Sequence, residues 1–223
     1  EIPVHTDSIL LYYDFEDGNA NDKSGAGNHG TDTNSDAIAA GGAKNGSYGI
    51  TGDGLTIGQS QSTQITAPTN MTFVRAPGLT YSMWIYSGTG SSPNTMIMET
   101  CSDSWLQQQW STPSVYRFGS NSTTTFDTGI GINNWIHFCI TVTDAGLYKV
   151  YINGTETHSQ TVANTFPPGT TMSLAWLFGI EKTGHRAWNG HMDDIRVFNT
   201  ASISKENIAA LANSQYDASR LKL

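Results

Sequence analysis

Two stretches at opposite ends of the chain concentrate the side chains that could do chemistry. Residues 12–31, YYDFEDGNANDKSGAGNHGT, supply Glu16, Asp17, Asn19, Asn21, Asp22 and Asn28 within one Gly-rich loop. Residues 188–200, WNGHMDDIRVFNT, supply Asp193 and Asp194 ahead of an Ile-Arg-Val-Phe run. Carboxylate and amide oxygens in this density suit a hard cation such as calcium, which takes about six to eight oxygens. The run Asp17-Gly-Asn19-Ala-Asn21 starts like an EF-hand loop. It then departs, with Asp22 where that loop needs Gly and Asn28 where it needs a bidentate Glu. A helical EF-hand is excluded; a calcium site of another geometry is not.

Successive strand residues face opposite ways, so Asp193 and Asp194 should split between the two faces of a strand. An inward carboxylate is costly unless paired or metal-bound. Two readings follow: one of the pair binds calcium, or both sit solvated at the strand's start.

The second chemical centre is the middle of the chain, where Trp105, Gln107, Gln109, Trp110, Tyr116 and Arg117 lie close in sequence. Flat aromatic faces stack on the apolar side of a sugar ring, and amide or charged neighbours fix its hydroxyls. Trp188, in the loop before the last strand, could join them. The expected ligand-binding set is therefore Trp105, Gln107, Trp110, Tyr116, Arg117 and Trp188. The competing expectation is that alternation sends about half of them into a core. Trp84 and Trp135 are expected in the core, since they stand inside the best strand patterns.

The elements that must position these residues are short strands. Alternation is clear in LTYSMWIYS (79–87), where Tyr81, Met83 and Ile85 point one way and Ser82, Trp84 and Tyr86 the other. WIHFCITVT and LYKVYING form a hairpin unit, and Asn153-Gly154 is suited to a type I′ turn with TETHSQTV as return strand. Strands are also expected at 8–15, 46–57, 94–101, 104–110, 114–120, 171–180 and 190–199, with loops at 58–70 and 87–93. Only 202–214 reads as a helix, with Ser204 as N-cap and Ile203, Ile208 and Leu211 on one stripe. Roughly a dozen strands and one terminal helix predict an all-β fold, a two-sheet antiparallel sandwich, as a single domain with its core at about 8–214.

Composition narrows the function. The 223 residues carry a formal net charge of −8, with only 11 Lys plus Arg, which argues against nucleic acid. No apolar run approaches the roughly 18 residues of a membrane span. Low charge and 23 Gly suit an extracellular or surface-displayed module. Cys101 and Cys139 lie in two predicted strands, as a cross-strand disulfide or as two buried thiols.

Four motifs, in order, resemble a laminin-G-like jelly roll of the concanavalin A-like lectin/glucanase superfamily. They are YYDFEDGNANDKSGAGNHGT, GLTYSMWIYS, NNWIHFCITVTDAGLYKVYINGTE and GHMDDIRVFNTASISKENIAAL. The resemblance implies one convex and one concave sheet and a structural calcium site near the first and last strands. Asp193 matches the carboxylate before the family's V-R-I-Y strand, and Glu16 and Asp22 match the acidic positions of the opening motif. Metal ligands are thus expected at Asp193, Glu16 and Asp22. Residues 87–130 resemble the family least.

The superfamily also includes glycoside hydrolases, which need two carboxyl groups about 5–10 Å apart. The E-x-D-x-x-E strand pattern of the glucanases is absent here, and no nucleophile elbow occurs. The expectation is a non-catalytic carbohydrate-binding or adhesion module whose partner is a glycan or cell-surface receptor. Two alternatives are the receptor-binding tip of a phage or viral fibre, as a homo-oligomer, and a structural or oligomerisation domain with no ligand.

Overall fold

A computed structural model describes residues 9–32, 38–40, 48–53, 65–66, 71–74, 78–88, 95–100, 104–109, 112, 114–119, 123–161, 171–174, 177–178 and 188–213. The strands are β1 (Ile9–Tyr13), β2 (Thr31–Asp32), β3 (Ile38–Ala40), β4 (Tyr48–Asp53), β5 (Ile65–Thr66), β6 (Met71–Val74), β7 (Gly78–Ser87), β8 (Thr95–Thr100) and β9 (Ser104–Gln108). They continue as β10 (Val115–Gly119), β11 (Thr123–Asp127), β12 (Trp135–Thr143), β13 (Leu147–Ile152), β14 (Thr155–Thr161), β15 (Thr171–Leu174), β16 (Leu177–Phe178) and β17 (Asn189–Phe198). One helix follows, α1 (Lys205–Ala212). The fold is the expected all-β, two-sheet antiparallel jelly-roll sandwich with a short C-terminal helix.

An eight-stranded sheet runs β14-β13-β12-β7-β17-β4-β3, with β1 also paired to β17. A seven-stranded sheet runs β11-β10-β9-β8-β16-β5-β2, and β15 and β6 pair separately. The first and last strands meet, with Tyr12 opposite Arg196 and Tyr13 opposite Ile195.

Alternation divides each strand between a sandwich interior and an outer face. In β7, Tyr81, Met83 and Ile85 enter the core with Ile136, Phe138 and Ile140 of β12 and Met192, Ile195 and Val197 of β17. From the seven-stranded sheet come Ile97, Met98, Leu106, Tyr116, Phe118 and Phe126. The hairpin turn is held by left-handed backbone at Asn153 (φ 49°) and Gly154 (φ 81°), as a type I′ turn requires. The Asn153 side-chain oxygen also accepts from the His137 backbone N–H at 2.9 Å.

The outer face of the eight-stranded sheet carries a second layer. Ser204 caps α1 by accepting from the Asn207 N–H at 3.2 Å. Leu211 packs with Ile9, Tyr12 and Phe198, and Ile208 packs with Cys139 and Tyr151, with Ile203 against both groups. Under this cover lie in-register rows: Thr141–Thr80–Phe198, then Cys139–Ser82–Arg196, then His137–Trp84–Asp193. Cys139 is a free, fully buried thiol, whose ionisation burial pushes up; Cys101 lies outside the described residues.

Several short elements went unread in the sequence. β5 falls inside the expected loop 58–70, and β2 and β3 were not expected as strands. Trp135 departs from its expected core position. It is half-exposed on the outer face, while Trp84 is buried there, its ring edge-on to His137 at 5.3 Å.

Candidate functional site

The oxygen-rich loop builds a hydrogen-bonded hub. Asp22 is buried, and both its carboxylate oxygens are occupied. Oδ1 accepts from the backbone N–H of Tyr12 and of Ser24, each at 2.9 Å. Oδ2 accepts from the Ser24 hydroxyl at 2.8 Å and the Asn28 N–H at 2.9 Å. Asn28 in turn donates to the Leu10 carbonyl at 2.7 Å, so the loop is stitched along β1. Glu16 is exposed at the far side of the turn, and Lys23 pairs with Asp17.

The expected split of Asp193 and Asp194 fails because the register shifts between Asp193 and Arg196, with Asp194 in left-handed backbone (φ 53°). A bulge of this kind re-aims side chains. Asp193 is buried and accepts from the Asp194 N–H at 2.7 Å. Asp194 Oδ1 accepts from the Tyr12 hydroxyl and from Arg196 Nη2, both at 3.0 Å. The buried Arg196 guanidinium also sits 4.0 Å over the Tyr12 ring.

Among the described residues no three His, Cys, Asp or Glu side chains converge as a metal centre. Of the three expected ligands, Asp22 has its oxygens spent on four donors, and Glu16 is exposed, so these two do not form a calcium cage as placed.

Four of the six expected ligand-binding residues, Trp105, Gln107, Tyr116 and Arg117, stand on β9 and β10 of the seven-stranded sheet; Trp188 directly precedes β17 of the other sheet, and Trp110 lies outside the described residues. Tyr116 and Trp188 are corrections, because neither presents a face to a sugar. Tyr116 is fully buried in the sandwich, 4.8 Å from the Phe138 ring centroid and stacked on Phe126 at 6.1 Å. Burial pushes its hydroxyl up to about 12, opposed by a hydrogen bond to Ser87. Trp188 is 1% exposed, and its indole N–H donates to the same Ser87 hydroxyl at 3.2 Å. Alternation explains the assignment: Leu106, Gln108, Tyr116 and Phe118 are cross-strand partners facing inward.

The opposite parity faces outward. Arg117 lies directly opposite Gln107 of β9 on one side and Thr125 of β11 on the other, and Gln107 faces Met96 of β8. Burial is graded along this row: Thr125 exposed, Arg117 half-buried, Gln107 and Met96 buried. Gln109, with its amide oxygen turned to Arg117, accepts from Nε at 2.6 Å and Nη2 at 2.8 Å. Gln107 Nε2 is buried with no hydrogen-bond partner. Trp105 occupies the same-face position two residues before Gln107, opposite Glu99 and Gly119; its side chain, like all of Trp110, lies outside the described part. Gln107, Arg117 and the Trp105 position are thus brought together.

One cluster escaped the sequence reading. Beyond the His137–Trp84–Asp193 row the cover ends, and the next row is Trp135–Tyr86–His191, all half-exposed. Their ring centroids form a triangle of 5.7, 5.4 and 6.3 Å. Trp135 and His191 stand two strand spacings apart, roughly 9.6 Å, so their rings lean together over Tyr86. The signal was there in the parity of Tyr86, which shares Trp84's face.

A second buried pair looks chemical but is not assembled as a nucleophile. Ser82 Oγ and His137 Nε2 are 2.9 Å apart, fully buried. His137 Nδ1 has no hydrogen-bond partner, and burial with the nearby Arg196 charge pushes the imidazole down to about 3. No carboxylate orients it, as a triad requires.

The architecture defines the class: a lectin-like jelly roll. The family model described as concanavalin A-like lectin/glucanases superfamily, of the laminin-G type, matches residues 57–209, and the chain belongs to that family. A search of curated protein sequences finds no match. Among solved structures, the chain is similar to domain 4 of a GH43 extracellular arabinanase from Geobacillus stearothermophilus, in complex with arabinotriose. The identity is 22%, over 92% of this chain and 98% of that one, with a TM-score of 0.66. It is also similar to the botulinum neurotoxin serotype D ligand binding domain in complex with N-acetylneuraminic acid, at 18% identity, 94% and 52% coverage and TM-score 0.69. The binding domain of Paraclostridial mosquitocidal protein 1 gives 15%, 95%, 53% and 0.69. The chain spans about half the length of these toxin domains. At such low identity these matches show a shared fold alone.

Proposed function

We propose that the chain is a non-catalytic glycan-binding module of a secreted or surface-displayed protein, using the outer face of the seven-stranded sheet. The observation that carries this reading is the row of Gln107, Arg117 and Gln109 beside the Trp105 position. It supplies amide and guanidinium donors on a strand surface whose register also holds the Trp105 position, and an aromatic beside such donors is the chemistry a sugar site needs. The arabinotriose and N-acetylneuraminic acid complexes of the structural neighbours support carbohydrate as the ligand class.

A binding role is favoured over catalysis by the spacing of carboxylates. On this face the described carboxylates of β8 and β11 are Glu99 and Asp127, on strands three spacings apart, roughly 14 Å. Hydrolysis needs about 5–10 Å. Among the described residues no helix is long and apolar enough to cross a membrane, which is compatible with a displayed module. Calcium has no step in this reading; its expected place is tested by melting below.

The test is a glycan array run with and without calcium, including arabinotriose and sialylated glycans, followed by calorimetry on the best ligand. Binding that is weakened by Arg117→Gln with an unchanged melt supports the proposal. A blank array would leave the structural-spacer alternative, and a trimer by light scattering would favour the fibre tip.

A further inference from the structure

We infer that this face recognises a carboxylate, so that its ligands are acidic sugars. The inference rests on the glycan-binding reading and goes beyond it by naming the recognised group.

The first observation is a charge left unneutralised. Five cationic side chains are described, and four meet carboxylates: Lys23 with Asp17, Lys149 and Lys205 with Glu156, and Arg196 with Asp194. Arg117 is the exception. Its described partner is the neutral Gln109 amide, although acids outnumber bases in the chain by 19 to 11. The Gln109 oxygen takes Nε and one Nη2 donor, which fixes the guanidinium plane and leaves donors of the five-donor fork to spend elsewhere.

The second observation is independent. Gln107 lies directly across the strand pair from Arg117, and its buried Nε2 donor meets no acceptor. A buried donor without a partner is a standing cost to the fold, of the kind retained where a ligand supplies the acceptor. Both unmet demands are for acceptors, they lie on adjacent strands of one face, and one carries positive charge. A planar, two-oxygen anion answers them together, since Arg pairs with carboxylate through parallel N–H···O bonds. A neutral sugar hydroxyl accepts less strongly and offers no charge.

Calorimetry on the whole chain with trigalacturonic acid, N-acetylneuraminic acid and a neutral galactose trimer tests this. At least one acidic probe should bind at least about tenfold more tightly than the neutral one, and salt should erode that preference. Arg117→Gln should lose about tenfold in affinity for the acidic probe with the melting temperature unchanged. Gln107→Leu should lose affinity while the melting temperature holds or rises, because the change removes an unmet donor rather than a bond. A merely structural Gln107 would lower the melting temperature instead. Equal affinity for acidic and neutral probes, or a preference for sulfated over carboxylated sugars, would overturn the inference while leaving a glycan-binding site. Failure of every glycan on the array would overturn the glycan reading itself.

Discussion

The Tyr12 backbone N–H donates to the Asp22 carboxylate at 2.9 Å, tying the first strand to the loop that follows it. The same carboxylate takes three further donors from Ser24 and Asn28. Asp22→Asn replaces one acceptor oxygen with an NH2 that faces N–H or O–H donors. The expected cost is roughly 1–3 kcal/mol, read from chemical denaturation with an unchanged m-value.

Because that hub spends its oxygens on hydrogen bonds, calcium should add nothing to it. Melting in millimolar calcium and in EDTA should give the same midpoint. A calcium-dependent rise would show that native-state binding occurs after all, since a ligand of the folded state raises the melting temperature. Elemental analysis of the purified chain would settle whether metal co-purifies.

The pH dependence should follow His137. Its folded pKa of about 3 lies below the unfolded value of about 6.5. Between these values the unfolded chain binds a proton that the folded chain refuses. Stability therefore falls as pH drops through the window, by about 1.4 kcal/mol per unit, and the term is constant above pH 6.5. The groups beside His137 are Ser82 and Trp84 of β7, with the Arg196 charge of β17 close enough to act on it. Carboxylates titrate below about pH 4.5, so the slope is best read between pH 5 and 6.5. His137→Gln should flatten it; an equally steep slope in that variant would assign the effect elsewhere.

Trp188 and Tyr116 separate core from site. Trp188→Phe removes the indole donor to Ser87 and shrinks a sealed side chain. Roughly 1–3 kcal/mol of stability should be lost. Glycan affinity of the folded variant should hold. If instead affinity fell at unchanged stability, Trp188 would belong to the ligand after all.

These two residues also mark where the sequence stops being legible. The strand patterns fixed the parity of β7 and β12 well, because long runs alternate against a single core. In β9 and β10 both faces carry large or amide side chains, so alternation alone could not say which parity faces outward. Tyr116 and Arg117 had equal claims until the register to Leu106 and Phe126 placed them. The bulge at Asp194 was invisible for another reason. Asp enters left-handed backbone more readily than most residues, but nothing in the sequence marks which Asp will do so, and Asp194 in that conformation turns the Asp193–Asp194 pair away from simple alternation. The helix, with a cap and a single stripe, was readable because both signals are local.

The Trp135–Tyr86–His191 triangle gives a spectroscopic handle on the uncovered end of the larger sheet. Burial pushes His191 below the usual imidazole value, so it is neutral at pH 7. As pH falls, His191 gains its charge with its ring centroid 6.3 Å from that of Trp135, at the outer edge of the range where a cation meets an aromatic face. An imidazolium so close should quench indole emission. The expected result is a fall in fluorescence with a midpoint below about 6.5, absent in His191→Gln and in Trp135→Phe. Acrylamide should quench Trp135 in the native state, because its ring is half-exposed, while Trp84 and Trp188 stay protected. A pH transition that survives His191→Gln would place its source in His137. The two histidines are then told apart by denaturation, since protonating His137 must break buried packing and protonating His191 need not.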